Sequence, residues 1–302
     1  MNSKHRKSIA VIVAHPDDET LWAGGTILEH PLNDWFIVCL CRASDCDRSE
    51  RFKNALVVLK AKGIMGDLDD GPDQQPQDEK VVEDEILRLL PDTHFDLILT
   101  HDSAGEYTKH LRHEEVNKAV VNLWQNDKIT ANELWTFAYE DGNKAHFPKA
   151  IDYANIFESL SEKIWLKKYK LITRTYGFDE SSWEGETTPL AEAFWQYKNP
   201  HHAMKPILKK ENELKKDSEK ELSIFDTPSI ELLKSLYYKS KAYVLDKSRF
   251  ETEINYFEKV STKLIEPIVK KSLNKLEKEL RIFKTSNIET LKSSYYESIG
   301  IV

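Results

Sequence analysis

Residues 9–19 read IAVIVAHPDDE, and this stretch decides which fold the chain is expected to adopt. The apolar run over residues 9–14 has the length and composition of a buried strand. A helical pattern follows, so the chain passes from strand to helix at the polar residues. At such a turn His15 and Asp18, spaced three apart, can both face one cation. Nitrogen and oxygen ligands of this kind suit Zn²⁺, and Asp17 remains free to act between them.

A second segment can supply a further ligand. Residues 105–113 read GEYTKHLRH and follow another apolar run, over residues 95–100. Parallel strands end at the same edge of a sheet, so this segment is expected near the first one. His110 and His113 are one helical turn apart and can reach the same cleft.

These residues resemble the PIG-L or LmbE-like family of zinc-dependent N-acetylglucosaminyl deacetylases. The family has an Ala-His-Pro-Asp-Asp-Glu motif after its first strand, and residues 14–19 reproduce it without a change. Its second motif usually reads His-Pro-Asp-His, whereas residues 110–113 read His-Leu-Arg-His. The resemblance covers most of residues 8–180.

The resemblance implies roles for five residues. His15, Asp18 and His113 match the family's zinc ligands. Asp17 matches its general base, and His110 matches the residue that stabilises the oxyanion.

The second motif lacks the family's acid, because Arg112 occupies that position. A hydrogen bond that this acid makes in relatives must therefore come from another group, and we consider Glu114 or water.

Three further residues are candidates for substrate contacts by resemblance. Arg51 begins the helix after the second strand, Asp70 resembles an acid that contacts sugar hydroxyls, and Tyr107 resembles a mobile tyrosine near the catalytic histidine. A surface or structural role explains each of them equally well. Arg42 and Trp183 are weaker candidates.

The chemistry of such a site follows from its ligands. A zinc ion held by two histidines and one carboxylate leaves a position for water, whose pKa falls to about 7. Asp17 can take the proton of this water as it attacks the amide, then pass it to the departing amine. We expect a protonated His110 to stabilise the negative charge on the carbonyl oxygen. The predicted reaction removes the N-acetyl group from an N-acetylglucosamine-type sugar or glycoconjugate.

Two alternatives stay open. The same ligands would serve an amidase that acts on another N-acyl group or on a thiol conjugate, because the pocket decides the substrate. A protein that binds a sugar or a partner without catalysis is the other alternative. The ligand set also accepts Fe²⁺ or Co²⁺. A zincin metalloprotease is disfavoured, since Asn117 stands where the H-E-x-x-H motif needs histidine.

Short apolar runs alternate with helical patterns in the first half of the chain. This order predicts a Rossmann-like α/β fold with a mostly parallel sheet and helices on both faces. The predicted strands are residues 9–14, 35–41, 64–68, 95–100 and 134–139. The predicted helices are residues 18–29, 48–62, 79–90 and 112–125. Residues 156–170 are expected to form another helix, and residues 169–178 a closing strand with a Tyr-Gly-Phe turn.

No nucleotide cofactor is predicted. Gly24 and Gly25 do not form a G-x-G-x-x-G motif after the first strand, and close helix packing explains them better.

The composition changes near residue 200, where we place a domain boundary. All seven Trp and nine of the ten Gly precede it. We expect a zinc deacetylase domain over residues 1–200, a linker over residues 199–206, and a helical extension or small bundle over residues 201–302. Within the last region, apolar seams over residues 233–244 and 265–280 fit helix packing, and a homo-oligomer or protein partner could bind there.

The net charge of −8 arises in the first part of the chain. Residues 1–200 contain 23 basic and 35 acidic residues, which argues against a nucleic-acid partner. No run approaches the roughly 20 apolar residues of a transmembrane helix, so we expect a cytoplasmic protein with a small-molecule substrate. Cys39, Cys41 and Cys46 lack metal-site spacing and are expected to be core thiols.

Overall fold

The computed structural model describes residues 6–71, 75–108 and 110–209, and a seven-stranded sheet lies at its centre. The strands of all sheets are β1 (Ser8–Val13), β2 (Asp34–Cys39), β3 (Lys62–Met65), β4 (His94–Phe95), β5 (Leu97–Thr100), β6 (Thr130–Ala131), β7 (Leu134–Phe137), β8 (Tyr139–Glu140), β9 (Lys149–Ala150), β10 (Ile156–Ser159) and β11 (Ala191–Tyr197). The helices are α1 (Asp18–Glu29), α2 (Cys46–Leu59), α3 (Glu79–Leu89), α4 (Leu111–Gln125), α5 (Glu162–Lys170) and α6 (Trp183–Thr187).

The strand order of the central sheet is β10-β11-β7-β5-β1-β2-β3. The pairs among β7, β5, β1, β2 and β3 are parallel, while β11 and β10 pair antiparallel at one edge. This confirms the predicted Rossmann-like, mostly parallel fold. Strands β1 and β5 are neighbours, so the segments that follow them start at the same edge of the sheet.

Helices cover both faces of the sheet, as predicted. On β1, Ala10 and Ile12 face a core built with α3 and α4, whereas Ile9, Val11 and Val13 face a core built with α1 and α2. The central strands are therefore buried on both sides, which explains their continuous apolar runs.

Of two predicted elements near the end of this region, the helix over residues 156–170 is confirmed only over Glu162–Lys170, and the closing strand is wrong. Residues 156–159 form β10 instead of helix, because they pair with β11. Residues 171–175 form a π-helical turn that continues α5, so the strand predicted over residues 169–178 does not form. The antiparallel neighbour of β7 is β11, a strand that the sequence analysis does not include. The Tyr-Gly-Phe segment does turn, with Gly177 at φ 74°.

Residues 200–209 are helical, so the predicted linker over residues 199–206 is also wrong. Asn199 accepts a hydrogen bond from the backbone N–H of His201 at 2.9 Å, and Pro200 occupies the first helical position. Both are favourable at a helix start. Ala203 and Ile207 are buried in the core beside α3 and α4. The domain boundary near residue 200 stays a prediction, and the apolar seams over residues 233–244 and 265–280 lie outside the described residues.

A buried ion pair joins α5 to β11. Lys168 Nζ lies 2.7 Å from Glu192 Oε1, and both side chains are fully buried. Glu192 also accepts hydrogen bonds from the backbone N–H groups of Gly25 and Thr26, each at 2.7 Å. A Cβ on Gly25 would come within 2.4 Å of Leu160 Cδ2, so the leucine side chain would have to shift to admit it. Close packing at Gly25 agrees with the sequence interpretation.

Cys39 and Cys41 are buried, as expected, and burial raises the pKa of both thiols. Cys46 is exposed, so it is not a core thiol. Among the described residues, no helix is both long enough and apolar enough to cross a membrane.

Candidate metal centre

The candidate site lies where β1 and β5 end. His15 and Asp18 follow β1, with Asp18 as the first residue of α1. His110 and His113 come from the start of α4, which follows β5. The two predicted segments are therefore brought together, at the point of a parallel sheet where ligands commonly bind.

Three donor atoms converge at this point. His15 Nδ1 lies 3.1 Å from Asp18 Oδ2, and His113 Nε2 lies 3.4 Å from the same oxygen. The two histidine nitrogens are 3.3 Å apart. A tetrahedral ion with ligand distances of about 2.0–2.1 Å separates its ligands by about 3.3–3.4 Å. The three atoms therefore fit three corners of such a site.

Each of the two histidines also contacts a carboxylate through its other ring nitrogen. His15 Nε2 lies 3.2 Å from Asp70 Oδ1, and His113 Nδ1 lies 2.5 Å from Glu106 Oε2. A carboxylate accepts hydrogen bonds, so Asp70 can accept the ring proton of His15 from Nε2 and Glu106 that of His113 from Nδ1. With the protons at these nitrogens, the lone pairs on His15 Nδ1 and His113 Nε2 would face the position shared with Asp18 Oδ2. This is the usual arrangement for metal-binding histidines.

Asp18 is held as an ionised carboxylate. Its Oδ1 accepts a hydrogen bond from the indole N–H of buried Trp22 at 3.1 Å, and its Oδ2 accepts one from the backbone N–H of His15 at 2.8 Å. Burial opposes ionisation, but the neighbouring His113 and His101 outweigh it and hold the pKa of Asp18 well below its usual value.

A second possible ligand group contains Asp18, His101 and His113. His101 Nε2 accepts a hydrogen bond from the backbone N–H of Ala14 at 3.0 Å, while its Nδ1 contacts Glu106 at 3.0 Å. Both ring nitrogens are thus engaged within the protein, so we assign His101 a supporting role. A third group, with His15, His110 and His113, is also close enough to hold an ion.

Asp17 lies beside the cluster in an unusual backbone conformation, with φ 129°. Its backbone N–H donates to Glu19 Oε2 at 3.1 Å, and Glu19 Oε1 accepts a hydrogen bond from the hydroxyl of Tyr176 at 2.6 Å. Burial, followed by the charge of Asp18, raises the pKa of Asp17 well above its usual value. Such a carboxylate holds a proton more readily than an exposed one. Arg48 Nη2 lies 3.5 Å from its Oδ1.

His110 stacks on His113 with ring centroids 4.1 Å apart. Burial, followed by the neighbouring His113 and His15, lowers the pKa of His110 to about 2. This environment favours the neutral imidazole, whereas the sequence led us to expect the protonated form. The ring of Tyr107 contacts both histidines, with centroids 5.6 Å from each. The structure therefore brings Tyr107 into the predicted cleft.

Part of the chain is similar to a known protein family. Residues 10–124 match the PIG-L family, described as GlcNAc-PI de-N-acetylase. The chain contains a PIG-L family domain. The similarity supports a deacetylase or hydrolase activity in general.

The PIG-L domain has similar proteins of several kinds. Uncharacterized protein L374 of Acanthamoeba polyphaga mimivirus is 24% identical over 187 residues, which are 57% of this chain and 79% of the relative. The N,N′-diacetylchitobiose deacetylase of Pyrococcus horikoshii has a TM-score of 0.49 and 17% identity, covering 65% of this chain and 85% of that one. The 4-carboxy-2-hydroxymuconate hydratase GalB of Pseudomonas putida has a TM-score of 0.46 and 18% identity, covering 63% of this chain and 95% of that one.

The altered second motif of this PIG-L domain leads to a different contact. Arg112 is fully buried and pairs with Glu115, one turn further along α4. The contact to His113 Nδ1 comes from Glu106, in the loop before α4. Sequence reasoning did not single out Glu106, and the replacement of the family's acid by Glu114 or water stays a prediction.

The predicted substrate residues have different surroundings. Arg51 donates to the backbone carbonyl of Tyr176 and pairs with Asp47 at 2.8 Å. Asp70 accepts hydrogen bonds from His15 and Arg42, which lower its pKa to about 2 although burial opposes this. Substrate contacts by these residues stay predictions.

Sequence reasoning missed Arg48, whose side chain lies beside the carboxylate of Asp17. It faces Asp17 and also lies over the ring of Phe178, at 5.1 Å from its centroid. Arg48 and Arg51 are one turn apart on α2, so the spacing did not distinguish the arginine that faces the cleft.

A cavity of about 410 Å³ lies beside the site. Its lining includes Tyr107, Trp183 and Phe147 together with the polar residues Asp141 and Lys144. The rings of Tyr107 and Trp183 are in edge contact, 4.7 Å apart. Because Tyr107 also contacts the histidines, the cavity and the cluster share a wall.

Proposed function

We propose that the chain is a zinc-dependent hydrolase that removes the N-acetyl group from an N-acetylglucosamine-type sugar or glycoconjugate. The observation that carries this proposal is the convergence of His15 Nδ1, Asp18 Oδ2 and His113 Nε2 beside a carboxylate, Asp17, that is not part of the ligand set. The description of the PIG-L family as a de-N-acetylase supports the same reaction.

His15, Asp18 and His113 would hold the zinc ion. When bound, zinc lowers the pKa of a water molecule and polarises an amide carbonyl. Two imidazoles and one carboxylate are ligands that zinc accepts, and their mutual distances fit its preferred geometry.

The residues of the chain would move the proton. Asp17 takes a proton from the attacking water, and its raised pKa favours keeping that proton until the amine departs. A C–O bond forms, the C–N bond breaks, and Asp17 returns the proton to the nitrogen. The products are acetate and the amine, which takes up the proton that the new carboxylic acid loses.

His110 would stabilise the carbonyl oxygen as negative charge develops. It is positioned against His15 and His113, so its ring lies next to the proposed ion. A neutral imidazole can still donate an N–H hydrogen bond to this oxygen. Arg48 lies within reach of Asp17 and would keep part of the cleft positively charged.

The cavity lined by Tyr107 and Trp183 would hold the part of the substrate beyond the acetamido group. Its volume falls in the range of about 300–1,000 Å³ that is usual for small-molecule sites. Aromatic walls with a few polar groups suit the apolar face and hydroxyl edges of a sugar ring.

The proposal is tested by acetate release from metal-quantified protein. The substrates are N-acetylglucosamine, N,N′-diacetylchitobiose and GlcNAc-phosphatidylinositol, with N-propionyl and N-benzoyl glucosamine as acyl variants. Wild type is compared with Asp17→Ala and with Asp84→Ala, an exposed aspartate on α3. We expect Asp17→Ala to retain zinc but to lose about 10²–10⁴-fold in kcat, and Asp84→Ala to match wild type.

Other results would change the assignment. Full activity of Asp17→Ala would contradict its role as the base. Release of another acid, without acetate from any substrate, would favour the amidase alternative. Zinc-loaded protein that binds these sugars without turnover would favour the non-catalytic alternative.

A further inference from the structure

Glu106 occupies a central position behind the candidate ligands. Its side chain is fully buried in the loop between β5 and α4. Glu106 Oε2 lies 2.5 Å from His113 Nδ1 and 3.0 Å from His101 Nδ1, while Oε1 accepts the backbone N–H of Asp102 at 3.1 Å. Both carboxylate oxygens are therefore occupied by groups of the protein.

The hydrogen bonds of His101 determine where its own proton lies. The backbone N–H of Ala14 donates to His101 Nε2, so this nitrogen must carry a lone pair. The proton of the neutral ring is then on Nδ1 and points to Glu106. Asn117 donates to the backbone carbonyl of His101 at 2.7 Å and fixes the same residue from α4.

With His101 fixed in this way, Glu106 acts as an acceptor toward both histidines. His113 must present Nδ1–H to the carboxylate, which leaves its Nε2 lone pair for the cluster with His15 and Asp18. The chain of contacts from Ala14 through His101 and Glu106 to His113 also connects the ends of β1 and β5. These contacts therefore hold the segment with His15 and Asp18 next to the segment with His113.

The residue at position 112 does not accept the Nδ1–H hydrogen bond of His113. Arg112 is buried and engaged with Glu115. An arginine side chain has only donors, so it could not accept a proton from His113 in any orientation.

We propose that Glu106 is the positioning residue that fixes His113 as its Nδ1–H tautomer and thereby presents Nε2 to the metal. This inference rests on the metal site of the proposed function. Loss of an outer carboxylate of this kind typically weakens metal binding by about 10–100-fold.

The first test measures zinc affinity by competition with a chromophoric chelator. Wild type is compared with Glu106→Gln and with Glu114→Gln, which changes the other acid considered for this role. We expect about 10–100-fold weaker zinc binding for Glu106→Gln and less than a twofold change for Glu114→Gln. Unchanged affinity of Glu106→Gln, or a greater loss in Glu114→Gln, would overturn the proposal.

A second measurement uses wild type only and does not depend on whether Glu106→Gln folds. Long-range ¹H–¹⁵N NMR correlations of the zinc-loaded protein report which nitrogen of each histidine carries the proton. We expect His113 to carry it on Nδ1, with Nε2 shifted by zinc. A proton on His113 Nε2 would contradict the assignment.

These readouts separate this inference from the proposed function. Acetate release by wild type, together with full zinc affinity of Glu106→Gln, would refute the role of Glu106 and leave the deacetylase intact. Weaker zinc binding by the variant, together with a wild type that hydrolyses no N-acetyl sugar, would support Glu106 and refute the reaction.

Discussion

At the residue scale, Asp17 combines a buried carboxylate with a strained backbone. Its φ of 129° is rare for a residue with a side chain. The surrounding hydrogen bonds hold this conformation, since its N–H donates to Glu19 and its carbonyl accepts from Thr20 and Leu21. Strain of this kind costs about 1–3 kcal/mol and is common at functional sites. The structure therefore places the candidate base at a position that is unfavourable for stability.

Substitution of Asp17 should separate strain from chemistry. Asp17→Ala keeps a side chain at positive φ, whereas Asp17→Gly relieves the strain. Relief of the strain stabilises the glycine variant by about 1–3 kcal/mol, and the larger unfolded-state entropy of glycine offsets about 0.4–1 kcal/mol of this gain. We therefore expect the glycine variant to be about 1 kcal/mol more stable than the alanine variant. Both variants should lose about 10²–10⁴-fold in kcat. Urea denaturation of the metal-free proteins measures the difference, and a more stable alanine variant would show that the backbone is not strained.

At the element scale, Glu192 of β11 holds α1 and α5 against the sheet. It accepts from two backbone N–H groups of α1, from the hydroxyl of Thr26 and from Lys168 of α5. Helix α1 carries Asp18 at its first position, so its placement determines where this ligand lies. Burial lowers the pKa of Lys168, and the charge of Glu192 opposes that shift.

Removal of Lys168 should be costly. Lys168→Met leaves Glu192 as a buried carboxylate without its cation, and breaking such a pair typically costs about 3–5 kcal/mol. Lys167→Met is the matched control, because Lys167 lies next to it in sequence and is exposed. We expect a large loss of unfolding free energy for Lys168→Met and a change within about 0.5 kcal/mol for the control. Equal stability of the two variants would mean that the ion pair does not stabilise the fold.

The first turn of α6 supplies Trp183 to the cavity beside the site. If this cavity holds the part of the substrate beyond the acetamido group, Trp183→Ala should raise KM about tenfold and leave kcat within a few fold, since the lost contact is worth about 1–2 kcal/mol. Tyr153→Ala removes an exposed aromatic side chain elsewhere and is the control. An unchanged KM for every conjugate would place the substrate outside this cavity.

Long helices could be predicted from their own sequence. Short strands that form only by pairing with a distant strand could not. The pattern for α1 predicted residues 18–29, and the structure forms Asp18–Glu29. In contrast, residues 156–159 continue an apparently helical pattern but become a strand through pairing with β11. Strand β11 itself was missed because Glu192, a charged residue, faces the interior and interrupts the expected apolar pattern.

At the scale of the whole molecule, the site depends on contacts between distant parts of the chain. The candidate ligands could be named from two motifs, because strand ends of a parallel sheet meet at one edge. Glu106 could not be named from the sequence, because its proposed role depends on where His101 lies in the fold. Neither Glu106 nor His101 has a sequence spacing that marks a metal ligand. Arg48 was missed for a similar reason, because only the rotation of α2 against the sheet decides which arginine faces Asp17.

The helical segment over residues 200–209 bears on where the first domain ends. Ala203 and Ile207 are buried in the core formed with α3 and α4, so a boundary near residue 200 would cut through that core. The physical extent of the domain is therefore expected to include this segment, although the composition changes before it.

Two truncated chains test this extent. A chain of residues 1–199 loses the buried surface of Ala203 and Ile207, whereas a chain of residues 1–209 keeps it. Burial of an isoleucine contributes about 1.5–3 kcal/mol, so we expect the shorter chain to be about 2–4 kcal/mol less stable. Ile207→Ala in the full chain should reproduce part of this loss, and Leu208→Ala, at the exposed neighbouring position, should not. Thermal and urea unfolding measure both comparisons. Equal stability of the two truncated chains would return the boundary to residue 200, and failure of the longer chain to fold would show that residues 1–209 are not an independent domain.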